Sequence, residues 1–159
     1  MRRFILVILS LCLSSVAASG QSVPQFEKYP AARIYNGKNA KAIIDKDSRT
    51  YRTRVRWAAA NGKRDFAGEY ILGQIGCGAL CRVTFALNAR TGRVSWLPFS
   101  LCCWEPITVE ATEARLNSRL IVLRGLRNEG AGEYSTDADT DTHYYQIKNG
   151  EFHYIKTIK

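Results

Sequence analysis

Four cysteines, Cys77, Cys81, Cys102 and Cys103, are the residues whose type and spacing come closest to defining chemistry. Three chemistries compete for them. A four-thiolate zinc site needs two separated pairs, and Cys77-x3-Cys81 could supply one. The neighbouring Cys102 and Cys103 make a poor second pair, because adjacent side chains on a strand point to opposite faces. A redox-active dithiol wants C-x-x-C at the start of a helix, and neither spacing matches. Disulfides are the remaining reading, and four cysteines allow three pairings.

Other reactive side chains are sparse. His143 and His153 are the only histidines, and Asp141 or Glu151 could partner them in acid–base work. No G-x-S-x-G elbow accompanies them, so two surface-strand histidines are expected. Asp137, Asp139 and Asp141 resemble the opening of a calcium loop. Thr142 and Lys148 then stand where that loop needs glycine and glutamate, so a solvated acidic loop is expected. Glu110 and Glu113 have nothing to single them out as an acid–base pair. The chain has no phosphate loop and no cofactor fingerprint, and no cofactor or metal is expected.

The compartment follows from the first twenty residues. Met1-Arg2-Arg3 is a basic start, Phe4 to Leu13 is an apolar run, and small residues follow to Gly20. This is the layout of a secretory signal peptide, with cleavage after Ala18 or Gly20. Its apolar run is shorter than the roughly 20 residues that span a bilayer. The fifth cysteine, Cys12, leaves with it. Residues 1–20 are therefore read as signal and 21–159 as one disulfide-stabilised domain, periplasmic or secreted and not integral to a membrane. In an oxidising compartment the four remaining cysteines should form two disulfides.

The net charge of the whole chain is +9. Residues 21–104 hold 14 basic and 5 acidic side chains, while residues 105–159 hold 7 and 9. The basic first part suits an acidic protein or an anionic envelope component. Nucleic acid is not expected for an exported chain that lacks a recognisable nucleic-acid module.

The elements that must position these residues are legible from periodicity. Residues 21–47 are punctuated by Pro24, Pro30 and Gly37, with at most a short strand at 32–35. Ser48 then stands as an N-cap before a helix from Arg49 to Ala60, and Gly62 stands as its stop. Tyr51, Val55, Ala58 and Ala59 fall on one face of that helix. Arg49, Arg52, Arg54 and Arg56 spread over the rest and form the candidate binding face. Strands are expected at 66–72, 82–88, 93–97, 107–111, 120–123, 143–147 and 151–155. Pro98 should end regular pairing or mark an edge. Lys148-Asn149-Gly150 is a strong hairpin signal. The fold class is α+β: mostly an antiparallel meander with one N-terminal amphipathic helix packed on it.

The hairpin around Arg90-Thr91-Gly92 sets a cysteine register. It places Cys81 opposite Leu101 or, with a one-residue bulge, opposite Cys102. The preferred pairing is therefore Cys81–Cys102 with Cys77–Cys103. Cys77–Cys81 with a vicinal Cys102–Cys103 bridge is the alternative.

Phe66-Ala67-Gly68-x-Tyr70, Gly76-Cys77-Gly78-x-x-Cys81, Asn88-Ala89-x-Thr91-Gly92-x-Val94 and Tyr144-Tyr145-x-Ile147-x-Asn149-Gly150-x-Phe152 run in that order along the chain. Together they resemble a group of small exported bacterial proteins of unknown function. The resemblance spans about Tyr51 to Ile155 and implies compartment and fold, not an activity. The expected function is a non-enzymatic binding module recognising a protein or cell-envelope component, with an inhibitor or immunity protein as one form. The alternatives are an envelope hydrolase using His143 and His153 with nearby carboxylates, and a structural or stress-related envelope protein.

Overall fold

The alternating stretches build two antiparallel sheets, not one meander. The structure is a computed structural model and describes residues 22–78, 81–102, 110–128 and 141–159. The expected signal segment, Cys103, Asp137 and Asp139 lie outside the described residues, as does most of the strand expected at 107–111. One helix, α1 (Arg52–Asn61), precedes all the strands. Residues 22–51 come before it, so it is not the first structured part of the chain. In sequence order the strands are β1 (Tyr70–Gly78), β2 (Cys81–Asn88), β3 (Val94–Cys102), β4 (Thr112–Ala114), β5 (Leu120–Arg124), β6 (Leu126–Asn128), β7 (Thr142–Lys148) and β8 (Glu151–Ile158). The first sheet has the order β1-β2-β3-β6 and the second β4-β5-β7-β8.

The single-meander expectation fails at Gly125. Leu120 to Asn128 is one nearly continuous extended run, but β5 pairs with β7 while β6 pairs with β3. The chain changes sheet at Gly125, whose φ of 126° is closed to most L-residues. A Cβ there would sit 2.4 Å from the Cys102 carbonyl oxygen. The Gly125 amide donates to the Asp141 carbonyl at 3.0 Å, which ties the corner to the start of β7.

The two sheets face each other across a shared core. Ala86, Leu97, Phe99 and Leu101 come from the first sheet, and Ile121, Leu123, Tyr145 and Ile147 from the second. Each fully buried Phe, Leu or Ile contributes roughly 1.5–3 kcal/mol. As expected, Leu120 to Leu123 is buried throughout. The outer face of the first sheet is covered by α1 through Val55, Ala58 and Ala59, packed on Ile71, Phe85 and Leu87. Phe26 and Tyr29, in and just after a 3-10 turn (Phe26–Lys28), cover the outer face of the second sheet against Leu120, Val122 and Tyr144. The loosely structured N-terminal stretch is thus a strap, and residues 32–35 form no strand.

The helix starts later than its sequence suggests. Ser48 does not cap it: no side chain caps Tyr51, which holds the N-cap position. The Ser48 hydroxyl accepts the Trp96 indole N–H at 3.2 Å, and the Ser48 amide donates to Asp45 at 2.8 Å. A half-buried indole N–H needs a partner, and that need claims the hydroxyl. Gly62 does end the helix, its amide donating to the Ala58 carbonyl at 2.8 Å.

The hairpin register places Cys81 opposite Cys102, and the larger-than-expected bulge lies at Pro98. Between the pairs Phe85↔Trp96 and Val83↔Ser100, β2 advances two positions and β3 four. Pro98 therefore sits inside β3 without breaking it. The disulfide forms elsewhere. Cys77 and Cys81 are bridged with Cα atoms 5.1 Å apart, so the preferred Cys81–Cys102 and Cys77–Cys103 pairings are not made. The cause is a bulge between Gly76 and Gly78, which leaves Cys77 as an extra residue beside Cys81. One disulfide, not two, is present among the described residues, and Cys102 is buried under the corner.

A non-reducing tryptic map checks the pairing. With Cys77 bridged to Cys81, the Asp65–Arg82 peptide runs alone, two hydrogens lighter than its reduced form. A Cys81–Cys102 bridge would instead tie it to the Val94–Arg115 peptide.

Candidate functional site

At the end of the sandwich away from Gly125, the turns of both sheets open into a cleft of about 960 Å³. The β2–β3 turn, the β7–β8 turn and the strap at 30–33 line it. The β7–β8 turn has the two-residue form its sequence predicts, with Asn149 and Gly150 at φ 54° and 83°. The Ser95 hydroxyl donates to the Gly150 carbonyl and fastens the two turns together.

The cleft is organised by Glu69. A tight reversal at Ala67-Gly68-Glu69 sets it there, with Phe66 and Tyr70 exchanging backbone hydrogen bonds at 3.2 and 2.9 Å. Gly68, at φ 78°, lies so close to the strap that a Cβ would collide with the Arg33 carbonyl. The Glu69 side chain is only 12% exposed. Its Oε2 accepts from Arg90 Nε at 3.3 Å and forms an ion pair with Arg33 Nε at 3.3 Å, and its Oε1 accepts from Asn88 Nδ2 at 2.9 Å. Asn88 Oδ1 accepts the Arg90 and Thr91 amides at 3.0 Å and shapes the turn. Arg119 is tied to the Pro30 carbonyl and Gln146. Arg93 and Lys148 also line the cleft, and no described residue pairs with either side chain.

The second surface is the outer face of α1. Arg49, Arg52, Arg54 and Arg56 are all exposed, and Trp57 stands among them 65% exposed. The helix contains no acidic residue. The described ion pairs engage Arg33, Arg90, Arg115 and Arg124, never a helix arginine. Asp45, ahead of this segment, has its carboxyl below its ordinary range because it accepts the Ser48 amide.

The histidines are not brought together. Directly opposed residues share a face, so His143, opposite Thr157, and His153, opposite Gln146, lie on opposite faces of the β7–β8 ladder. His153 is exposed, with Nε2 3.2 Å from the Lys148 carbonyl oxygen. His143 is not the surface residue expected: it is buried in the corner between the sheets. Its Nε2 lies 2.9 Å from the Gly125 carbonyl oxygen, which can only accept, so Nε2 carries the proton. Nδ1 then accepts from the Thr157 hydroxyl at 2.8 Å, and Thr157 accepts from the Tyr154 hydroxyl at 3.1 Å. Neither ring hydrogen-bonds a carboxylate among the described residues. Glu113 is held by Arg124 at 2.9 Å, and that hydrogen bond lowers its carboxyl below the ordinary range. Among the described residues no group of three or more metal-ligating side chains converges, and no helix is long and apolar enough to cross a membrane.

Comparison with protein-family models, curated proteins and solved structures finds no match to this chain. Sequence reasoning missed Glu69 and the cleft. The available signal was the spacing of the small-residue turns. Ala67, Tyr70, Asn88, Thr91, Val94, Ile147, Asn149 and Gly150, all quoted above as motif residues, line this one cleft.

Burial lowers the His143 pKa from its ordinary 6.5, with Arg127 adding to the fall, while the Gly125 carbonyl and Asp141 oppose it. A depressed histidine binds fewer protons folded than unfolded. Its stabilising contribution is therefore full above pH about 6.5 and is lost as pH falls from there through the lower folded value. The urea midpoint should drop over that interval, and His143→Gln should flatten the drop. Parallel pH profiles for the two proteins would contradict this.

Proposed function

We propose that this protein is an exported, non-enzymatic binding module that docks an anionic cell-envelope component through the outer face of α1. One observation carries the reading. Arg52, Arg54 and Arg56 lie with an exposed tryptophan on a helix free of acidic residues, Arg49 stands just before it, and none of the four pairs with a described carboxylate. By contrast, Arg33, Arg90, Arg115 and Arg124 each meet a glutamate. Arginine left without a counter-charge beside an amphipathic ring suits a surface that brings its own negative charge. An acidic protein face is the other partner with the right charge. The hydrolase alternative draws no support from the histidines, because His143 is fully engaged inside the corner and His153 lies on the opposite face.

Each Lys or Arg near an anionic bilayer surface is worth about 1 kcal/mol, so removing four should weaken binding on the order of a hundredfold or more. Titration with vesicles containing phosphatidylglycerol, followed by tryptophan emission, should show salt-sensitive binding that is absent with phosphatidylcholine alone. The protein with Arg49, Arg52, Arg54 and Arg56 all changed to Ala should lose it. Equal binding by both proteins would remove the helix face from the account. Binding to polyglutamate but not to vesicles would move the partner to the acidic-protein class.

A further inference from the structure

We infer that the cleft between the two turns is a second binding site, separate from the α1 face, and that it takes a carboxylate-bearing ligand such as an acidic sugar of an envelope glycan. Glu69 acts in it as a positioning residue. The geometry of the two arginines carries this. Arg90 turns Nε to donate to Glu69 Oε2, and Arg33 lies with Nε against the same oxygen as an ion pair, each at 3.3 Å. The terminal nitrogens of both guanidiniums therefore meet no other described partner, although both side chains line the cleft and are 59% and 43% exposed. A guanidinium held by Nε still offers its two terminal N–H groups as a fork, the geometry that matches a carboxylate with two parallel hydrogen bonds.

The rest of the cleft points the same way. Arg93 and Lys148 add two cationic side chains from the two facing turns, and no described carboxylate pairs with either. Across the cleft the basic residues Arg33, Arg90, Arg93, Arg119 and Lys148 outnumber Asp45, Glu69 and Glu151. The most buried of these acids, Glu69, is the one that holds the arginines. The cleft has room for more than a lone ion, since small-molecule sites run about 300–1,000 Å³. It is also framed by backbone turns that are already fixed: Ser95 joins the two hairpins, and Asn88 and Glu69 brace the β2–β3 turn. A site whose donors are held before the ligand arrives loses less ordering entropy on binding.

The test is an amide-resolved NMR titration of the whole protein with trigalacturonate, with citrate and neutral maltotriose as parallel arms. Trigalacturonate should shift the amides of residues 88–93 and 148–151, and maltotriose should not. Stronger binding of trigalacturonate than of citrate places the carboxylate on a glycan. Equal or stronger citrate binding keeps the carboxylate chemistry and assigns it to a free polycarboxylate. Arg33→Ala/Arg90→Ala, at two exposed positions, should weaken binding at least about tenfold in a variant whose amide spectrum outside the two turns matches that of the unaltered protein.

Glu69→Gln separates positioning from bulk charge. It makes the cleft more positive, so charge alone predicts tighter binding, whereas loss of the brace predicts weaker binding. Tighter binding by Glu69→Gln would overturn the positioning role. Absence of shifts in these two turns, or equal binding of maltotriose, would overturn the site. The protein with all four helix arginines changed to Ala should bind trigalacturonate as the unaltered protein does, so failure of one surface is distinguishable from failure of the other.

Discussion

The backbone corner at Gly125 is the constraint on which the rest of the structure depends. One extended run, Leu120 to Asn128, belongs to both sheets, and the change of sheet is made at a single residue with φ 126°. Both polar groups of that residue are spoken for. Its N–H reaches the Asp141 carbonyl, and its C=O takes the proton on His143 Nε2. In a buried corner an unmade bond to either group would cost about 1–3 kcal/mol. The crowding is as important as the bonding, because the Cys102 carbonyl fills the space a side chain would need. A histidine here works as a structural donor, held in one tautomer by the Tyr154–Thr157 hydroxyl chain.

Fixing the sheets at one end decides what meets at the other. β3 and β7 both run between the corner and the turns, so the β2–β3 and β7–β8 turns arrive side by side and leave the cleft between them. Glu69 then holds Arg33 of the strap and Arg90 of the turn to one carboxylate, which closes the cleft's floor without using the outer ends of the guanidiniums. The α1 face follows a different logic. Its small buried stripe of Val55, Ala58 and Ala59 lets the helix lie close on the first sheet, and every arginine is turned outward. Internal polar groups such as His143, Ser48, Asn88 and Glu69 are spent on the fold, while the helix arginines are not.

Much of this was legible in the sequence, and the failures have specific causes. Alternation at Arg82–Asn88 and the Asn149-Gly150 turn gave the hairpins, because period-2 patterning and turn chemistry are local. The helix stripe was equally local. The register that sets Cys81 opposite Cys102 was legible as well, but the bridge was not. A disulfide goes to whichever thiol is within reach, and the Gly76–Gly78 bulge brings Cys77 closer than pattern alone reveals. The second sheet stayed hidden because the strand read at 120–123 gives no sign that the chain runs on past Gly125 into β6, and the change of sheet lies in a φ value at Gly125. His143 and Glu69 were invisible for the same reason: their partners come from residues 18 and 19–36 positions away in sequence, through tertiary contacts that no periodicity encodes. (Glu69 meets Asn88, Arg33 and Arg90; His143 meets Gly125.)

The central claim is that the two sheets are locked at Gly125, and Gly125→Ala probes it most directly. A left-handed backbone position and a collision with the Cys102 carbonyl oxygen should together cost about 2 kcal/mol or more in urea unfolding at neutral pH. A variant within about 0.5 kcal/mol of the unaltered protein, the usual range for a substitution that touches nothing important, would contradict the account.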